Sequence, residues 1–177
     1  MSRLVERKGI QHVLQALAEI NQPDIHFTVV GEGQYEAALR EQCERLGLQS
    51  QVTFHGYCPR EELPELFGEQ DLFVLPSIAE AFGQAFVEAM SCGMPIIGGR
   101  VGGVTDIVGP ENGILVEPQN VEQIKAAIMA FYLDRDRCRM VGDDNRARVL
   151  NHYSWHSVAH QYLNFYQQFC LAAEPVA

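Results

Sequence analysis

The stretch EAFGQAFVEAMSCGMPII, residues 80–97, decides the fold. Gly83 to Cys92 has helical periodicity and ends at Gly93, and Met94 to Ile97 is then a short apolar run that suits a buried strand. The same alternation continues outward in both directions. Upstream, Arg60 to Phe67 reads as a short helix and Asp71 to Leu75 as an apolar strand stopped by Pro76 and Ser77. Before these come a helix from Gly9 to Ile20, a strand from Ile25 to Val30, a helix from Gln34 to Leu46 stopped at Gly47, and a strand from Gln51 to His55 closed by Gly56. Downstream, a glycine-rich loop (98–103) precedes a last strand at Ile114 to Val116. Helices over Val121 to Leu133, Arg137 to Leu150 and about Ser154 to Leu171 fill the rest, with Ser154 as N-cap. Strands alternating with helices predict an α/β fold: a Rossmann-like, doubly wound parallel sheet with helices on both faces. Arg3 and Leu4 read as the end of a strand whose earlier residues are missing.

Composition narrows the function. The chain has 177 residues, 47% of them hydrophobic and 20% charged, enough to bury one sizeable core. Thirteen Lys and Arg face 23 Asp and Glu, and the net charge of −10 disfavours nucleic acid as a partner. Five widely spaced cysteines form no C-x-x-C pair, which fits a reducing cytoplasm. No segment reaches the roughly 18 uninterrupted apolar residues of a membrane span. His152, His156 and His160 are spaced by four, but Ser154 as a cap leaves His152 outside the helix, so no metal site is expected. Trp155, Tyr162, Phe165, Tyr166 and Phe169 form an aromatic stripe that reads as packing surface.

Doubly wound sheets bind ligands where strand ends meet helix starts. Arg3 and Lys8 flank a loop leading into the helix opened by Gly9, which suits a polyphosphate or, equally, a solvated charged turn. Phe82, Gly83 and Gln84 stand at a helix start, where unpaired amides and a partial positive charge attract an anion such as a diphosphate. Glu80 lies ahead of that helix, and Glu88 about 7–8 Å along its axis. Their separation is too wide for the acid and nucleophile of a retaining glycosidase, about 5 Å apart. As acceptors of hydroxyl groups, Glu88 suits a ribose diol and Glu80 a sugar hydroxyl; taken alone, the pair reads first as a capping acid and an exposed helical acid. Glycines at Gly31, Gly33 and Gly98 to Gly103 let backbone approach a ligand, although turn geometry alone accounts for most of them.

In this order, RLVERKG, FTVVGEGQYEAALR, VTFHGYCPREELPELFGEQDLFVLPS, EAFGQAFVEAMSCGMPII, VGGVTDIV and NGILVEPQNVEQI resemble the C-terminal, donor-binding half of GT-B glycosyltransferases of family 4 (group 1). The resemblance implies one half of a GT-B fold, with residues 1–151 binding a nucleotide-diphosphate sugar. Residues 152–177 would be a C-terminal helix crossing back to an N-terminal domain absent from this sequence. It implies Arg3 and Lys8 on the donor diphosphate, Glu88 on the ribose and Glu80 near the reacting carbon of the sugar. Phe82, Gly83 and Gln84 would cradle sugar and phosphate. Gly31, Gly33, Gly56, Tyr57 and Cys58 would line the base, mostly through main chain. Ala81, Gln84, Thr105 and Asp106 depart from the family's usual residues, so contacts to the sugar are less fixed than those to the phosphates.

The implied activity is hexosyl transfer with retention, without metal or other cofactor, to an acceptor sugar, lipid or small molecule held by the absent domain. The chain alone would bind donor weakly and turn it over poorly. Peripheral membrane association stays open, as does a noncatalytic nucleotide-sugar-binding or interaction module.

Overall fold

The computed structural model describes residues 3–170. A short 3₁₀ turn, Glu6–Lys8, leads into α1 (Ile10–Ile20), β1 (Phe27–Val30), α2 (Glu36–Arg45), β2 (Val52–Gly56), α3 (Leu63–Gly68), β3 (Phe73–Leu75) and α4 (Gln84–Ser91). There follow β4 (Ile96–Gly99), α5 (Val104–Ile107), β5 (Gly113–Val116), α6 (Val121–Leu133), α7 (Arg135–His152) and α8 (Trp155–Cys170).

All strand pairs are parallel, as the alternation predicts. β1 pairs with β2, from Phe27 opposite Val52, and β4 lies between β3 and β5, with Ile97 opposite both Val74 and Ile114. The strands thus form a two-stranded and a three-stranded sheet. Every residue of β4 is buried, as expected of a central strand covered on both faces. One apolar core lies under α1, α2 and α6 and includes Val13, Leu14, Leu17, Ile97, Ile124 and Phe131. A second gathers Phe67, Phe86, Met90, Ile96 and Ile107. Burial pushes the Cys43 and Cys138 thiols above their ordinary range.

Three local signals act as the sequence predicts. Gly47 takes a left-handed φ of 71° after α2, and Gly93 one of 80° after α4. Ser154 Oγ accepts from the Ser157 amide at 3.1 Å. Three other readings need correction. Arg3 and Leu4 are not paired in a sheet: the Leu4 amide donates to the Glu32 carbonyl at 2.9 Å, so this segment abuts the loop after β1. Gly98 and Gly99, read as loop, finish β4, and the four-residue α5 follows the loop unanticipated. α7 begins two residues earlier than its periodicity suggests because the Asp134 carboxylate caps it, accepting from the Arg137 amide at 2.9 Å.

Among the described residues no helix is long and apolar enough to cross a membrane.

Candidate functional site

The site collects on the carboxyl ends of β1 to β4, where loops meet helix starts. The opening segment is wedged between two of these ends. Tyr35 donates to the Leu4 carbonyl at 3.1 Å on the β1 side, and Ile78 donates to the Arg7 carbonyl at 2.7 Å on the β3 side. Lys8 is thereby held beside the loop that precedes α4. Its Nζ lies 2.5 Å from Glu80 Oε2, and both side chains are mostly buried, at 14% and 17% exposure. Residues 72 apart in sequence form one charged pair. Arg3 is exposed and makes no ion pair among the described residues, so Lys8 is the cation the structure brings to Glu80.

Gly83 begins α4 in a left-handed conformation, φ 93°, with no side-chain cap. The amides of Gln84 and Ala85 therefore have no carbonyl one turn back, and this end of the helix is a donor surface. Gly83 itself is packed: a Cβ there would lie 2.8 Å from the Phe86 ring. Phe82 is exposed over the same end.

Glu88, one turn further along α4, borders a hollow of about 280 Å³ with Tyr57, Arg60, Leu63, Gln84 and Ala85. Arg60 Nη2 reaches Glu88 Oε1 at 3.2 Å across it. The two glutamates thus serve different places, Glu80 beside Lys8 and Glu88 in the hollow. Tyr57 is exposed at its rim, whereas the Cys58 side chain turns into the second core, leaving only its main chain for a ligand.

Gly31 and Gly56 sit together, the Gly31 amide donating to the Gly56 carbonyl at 2.7 Å. Other glycines face protein backbone instead. A Cβ on Gly33 would come 2.2 Å from the Leu4 carbonyl oxygen, one on Gly102 2.0 Å from that of Glu80, and one on Gly103 2.6 Å from that of Ala81. The loop after β4 therefore braces the Glu80 loop. Sequence reasoning missed this bracing and also missed Arg60, whose only signal was a cation beside Tyr57 and Cys58.

Residues 1–148 match the family of glycosyl transferases group 1, and the chain belongs to that family. The fold is one half of a GT-B glycosyltransferase. An uncharacterized glycosyltransferase of Methanocaldococcus jannaschii is 30% identical over 94% of this chain and 43% of its own length. A GDP-mannose-dependent phosphatidylinositol monomannoside mannosyltransferase of Mycolicibacterium smegmatis is 31% identical, over 88% of this chain and 43% of that protein. Among solved structures, Anabaena HepE in complex with UDP-glucose superimposes with a TM-score of 0.86 at 27% identity, covering 96% of this chain and 48% of that one. The chain spans less than half the length of each of these relatives.

Proposed function

We propose that this chain is the donor-binding half of a retaining hexosyltransferase that uses a nucleotide-diphosphate sugar. The observation that carries the reading is the Lys8–Glu80 pair set beside the uncapped start of α4, with Glu88 one turn away in an open hollow. A diphosphate on the α4 amides meets Lys8, and the exposed Arg3 extends toward the same anion. The nucleoside then occupies the hollow, its ribose diol on Glu88 and its base beside Tyr57 and the Gly31–Gly56 contact. Glu80, released from part of its bond to Lys8, accepts from a sugar hydroxyl.

In transfer, an acceptor hydroxyl oxygen bonds to the anomeric carbon from the face the diphosphate leaves, which retains configuration. The carbon–oxygen bond to the diphosphate breaks, its electron pair leaves with the nucleoside diphosphate, and the hydroxyl proton passes to the departing diphosphate oxygen. Lys8, Arg3 and the helix amides answer that growing charge, each well-placed donor being worth about 3 kcal/mol of barrier. The acceptor, a sugar, lipid or small molecule, sits on a second domain of the kind that makes up the rest of the relatives' length. The chain alone then binds donor but transfers little, and its place of work is the cytoplasm.

Calorimetry with UDP, GDP and ADP tests the reading. One of them is expected to bind, and Lys8→Ala to weaken it about tenfold or more through loss of a charge-assisted contact. Glu80→Gln should leave nucleoside diphosphate affinity within about threefold while abolishing transfer in an assembled enzyme. No binding by any of the three overturns the proposal.

A further inference from the structure

Lys8 stands at the end of a three-residue turn, Glu6–Lys8, that has no side-chain cap. Its internal bonds are local: the Lys8 amide donates to the Val5 carbonyl at 3.0 Å and the Gly9 amide to the Glu6 carbonyl at 3.1 Å. A single 3₁₀ turn has poor hydrogen-bond geometry and little stability of its own. What holds Lys8 beside Glu80 must come from outside the turn. The main chain ties the segment at two points, Leu4 to Glu32 and Arg7 to Ile78.

A side chain supplies a third tie. Gln11, in the first turn of α1, donates from Nε2 to the Glu6 carbonyl at 3.0 Å, so that carbonyl accepts twice. Gln11 is itself anchored from α2, where Gln42 Nε2 donates to the Gln11 main-chain carbonyl at 2.8 Å. Both glutamines are buried, at 8% and 9% exposure. The chain of bonds thus runs from α2 through α1 to the turn that ends in Lys8.

Stability alone does not account for this relay. Buried side-chain amides cost free energy unless their polar atoms are bonded, and among the described residues Gln11 Oε1 has no partner. The two helices already share an apolar core that includes Leu14 and Leu39, and a side chain of similar shape without polar atoms would suit that place as well. What such a side chain cannot do is donate to Glu6. The amide therefore gives direction: it fixes where one main-chain carbonyl lies, and Lys8 is two residues further on.

We propose that Gln11, steadied by Gln42, is the positioning residue for Lys8: it sets the turn so that Nζ is held at the Glu80 loop, ready for a diphosphate on the α4 amides. The inference deepens the nucleotide-sugar reading and rests on it for the identity of the anion. The placement of the turn rests on the contacts alone. With Gln11 in place the lysine is preorganised, and binding requires little reordering. Without that amide Lys8 keeps its charge but loses its fixed place.

Gln11→Met keeps the shape and removes the donor, so it is the variant to test. Hydrogen exchange at the Gly9 and Ile78 amides, which donate to Glu6 and Arg7, reads the turn, and exchange in β4 reads the rest of the fold. The variant is expected to speed exchange at both amides about fivefold or more and to leave β4 unchanged. Gln42→Met, which spares the bond to Glu6, should give the same pattern more weakly. Calorimetry with UDP, GDP and ADP is the second readout. Whichever binds should bind Gln11→Met about threefold to tenfold more weakly, and adding Gln11→Met to Lys8→Ala should lose nothing more. Unchanged exchange at Gly9 and Ile78 overturns the proposal. Faster exchange that extends to β4 does so too, as does an equal loss of affinity with and without Lys8, because the amide then supports the fold at large. If the unaltered chain binds none of the three nucleotides, the nucleotide reading falls, and exchange at the two amides still decides whether Gln11 places the turn.

Discussion

Arg60 and Glu88 show what a single contact can and cannot do. Their separation is 3.2 Å, but the arginine is 71% exposed, and ion pairs this wet contribute at most about 1 kcal/mol. The pair therefore adds little to stability, yet it occupies the carboxylate that the proposed ribose would use. Arg60→Ala is expected to leave the denaturation midpoint nearly unchanged and to raise nucleoside diphosphate affinity by up to about fivefold, the most such a pair can withhold. Calorimetry at low and high salt checks it. Added salt should close the gap between wild type and variant, because screening already loosens the pair in the wild type. A variant that binds more weakly at both salt concentrations would instead make Arg60 a direct ligand of the nucleotide.

At the scale of elements, α4 is placed by its packing and aimed by its neighbouring loops. Phe86 is fully buried and meets Phe73 edge-on, with centroids 5.4 Å apart, which fixes the helix on β3. The loop holding Glu80 is braced from behind by Gly102, where φ is 46°. Gly102→Ala and Gly47→Ala isolate that brace. Both positions have left-handed backbone, so alanine costs each about 1–2 kcal/mol, but a Cβ on Gly47 meets nothing within 4 Å. Both variants should unfold at lower denaturant, and only Gly102→Ala should also lose nucleoside diphosphate affinity, because its methyl displaces the Glu80 backbone. Equal binding by the two would detach the brace from the site.

The same elements mark what a sequence can convey. α6 runs from Val121 to Leu133 as its periodicity predicts, and Gly47 and Gly93 stop helices, because caps and periodicity are local. α5 was not legible, since four residues are too few to show a period. Nor was the ion pair between Lys8 and Glu80, which depends on two strand ends lying side by side. The glycines after β4 were visible, but what they make room for, the Glu80 carbonyl, is a tertiary fact. Motif resemblance names the candidate residues, and only the folded structure shows which neighbours each one meets.

Over the whole molecule, the aromatic stripe on α8 stands apart from the two cores. The periodicity of Trp155, Tyr162, Phe165 and Tyr166 reads as packing surface, yet among the described residues these side chains stay largely exposed, from 55% at Phe165 to 90% at Trp155. Among the described residues, α7 is the element α8 chiefly packs on, and a large part of this apolar face is exposed. Trp155 is the one tryptophan in the chain, which makes fluorescence a reporter of α8 alone. In the free chain its emission is expected to lie near that of fully hydrated indole and to be quenched readily by iodide. Urea should then unfold the cores, seen by circular dichroism, with almost no shift in that emission. A blue-shifted, protected Trp155 in the free chain would mean that α8 is already covered, by self-association or by a different placement on the domain, and sedimentation separates those two. If the proposed second domain covers α8, the same shift should appear in an assembled enzyme without self-association.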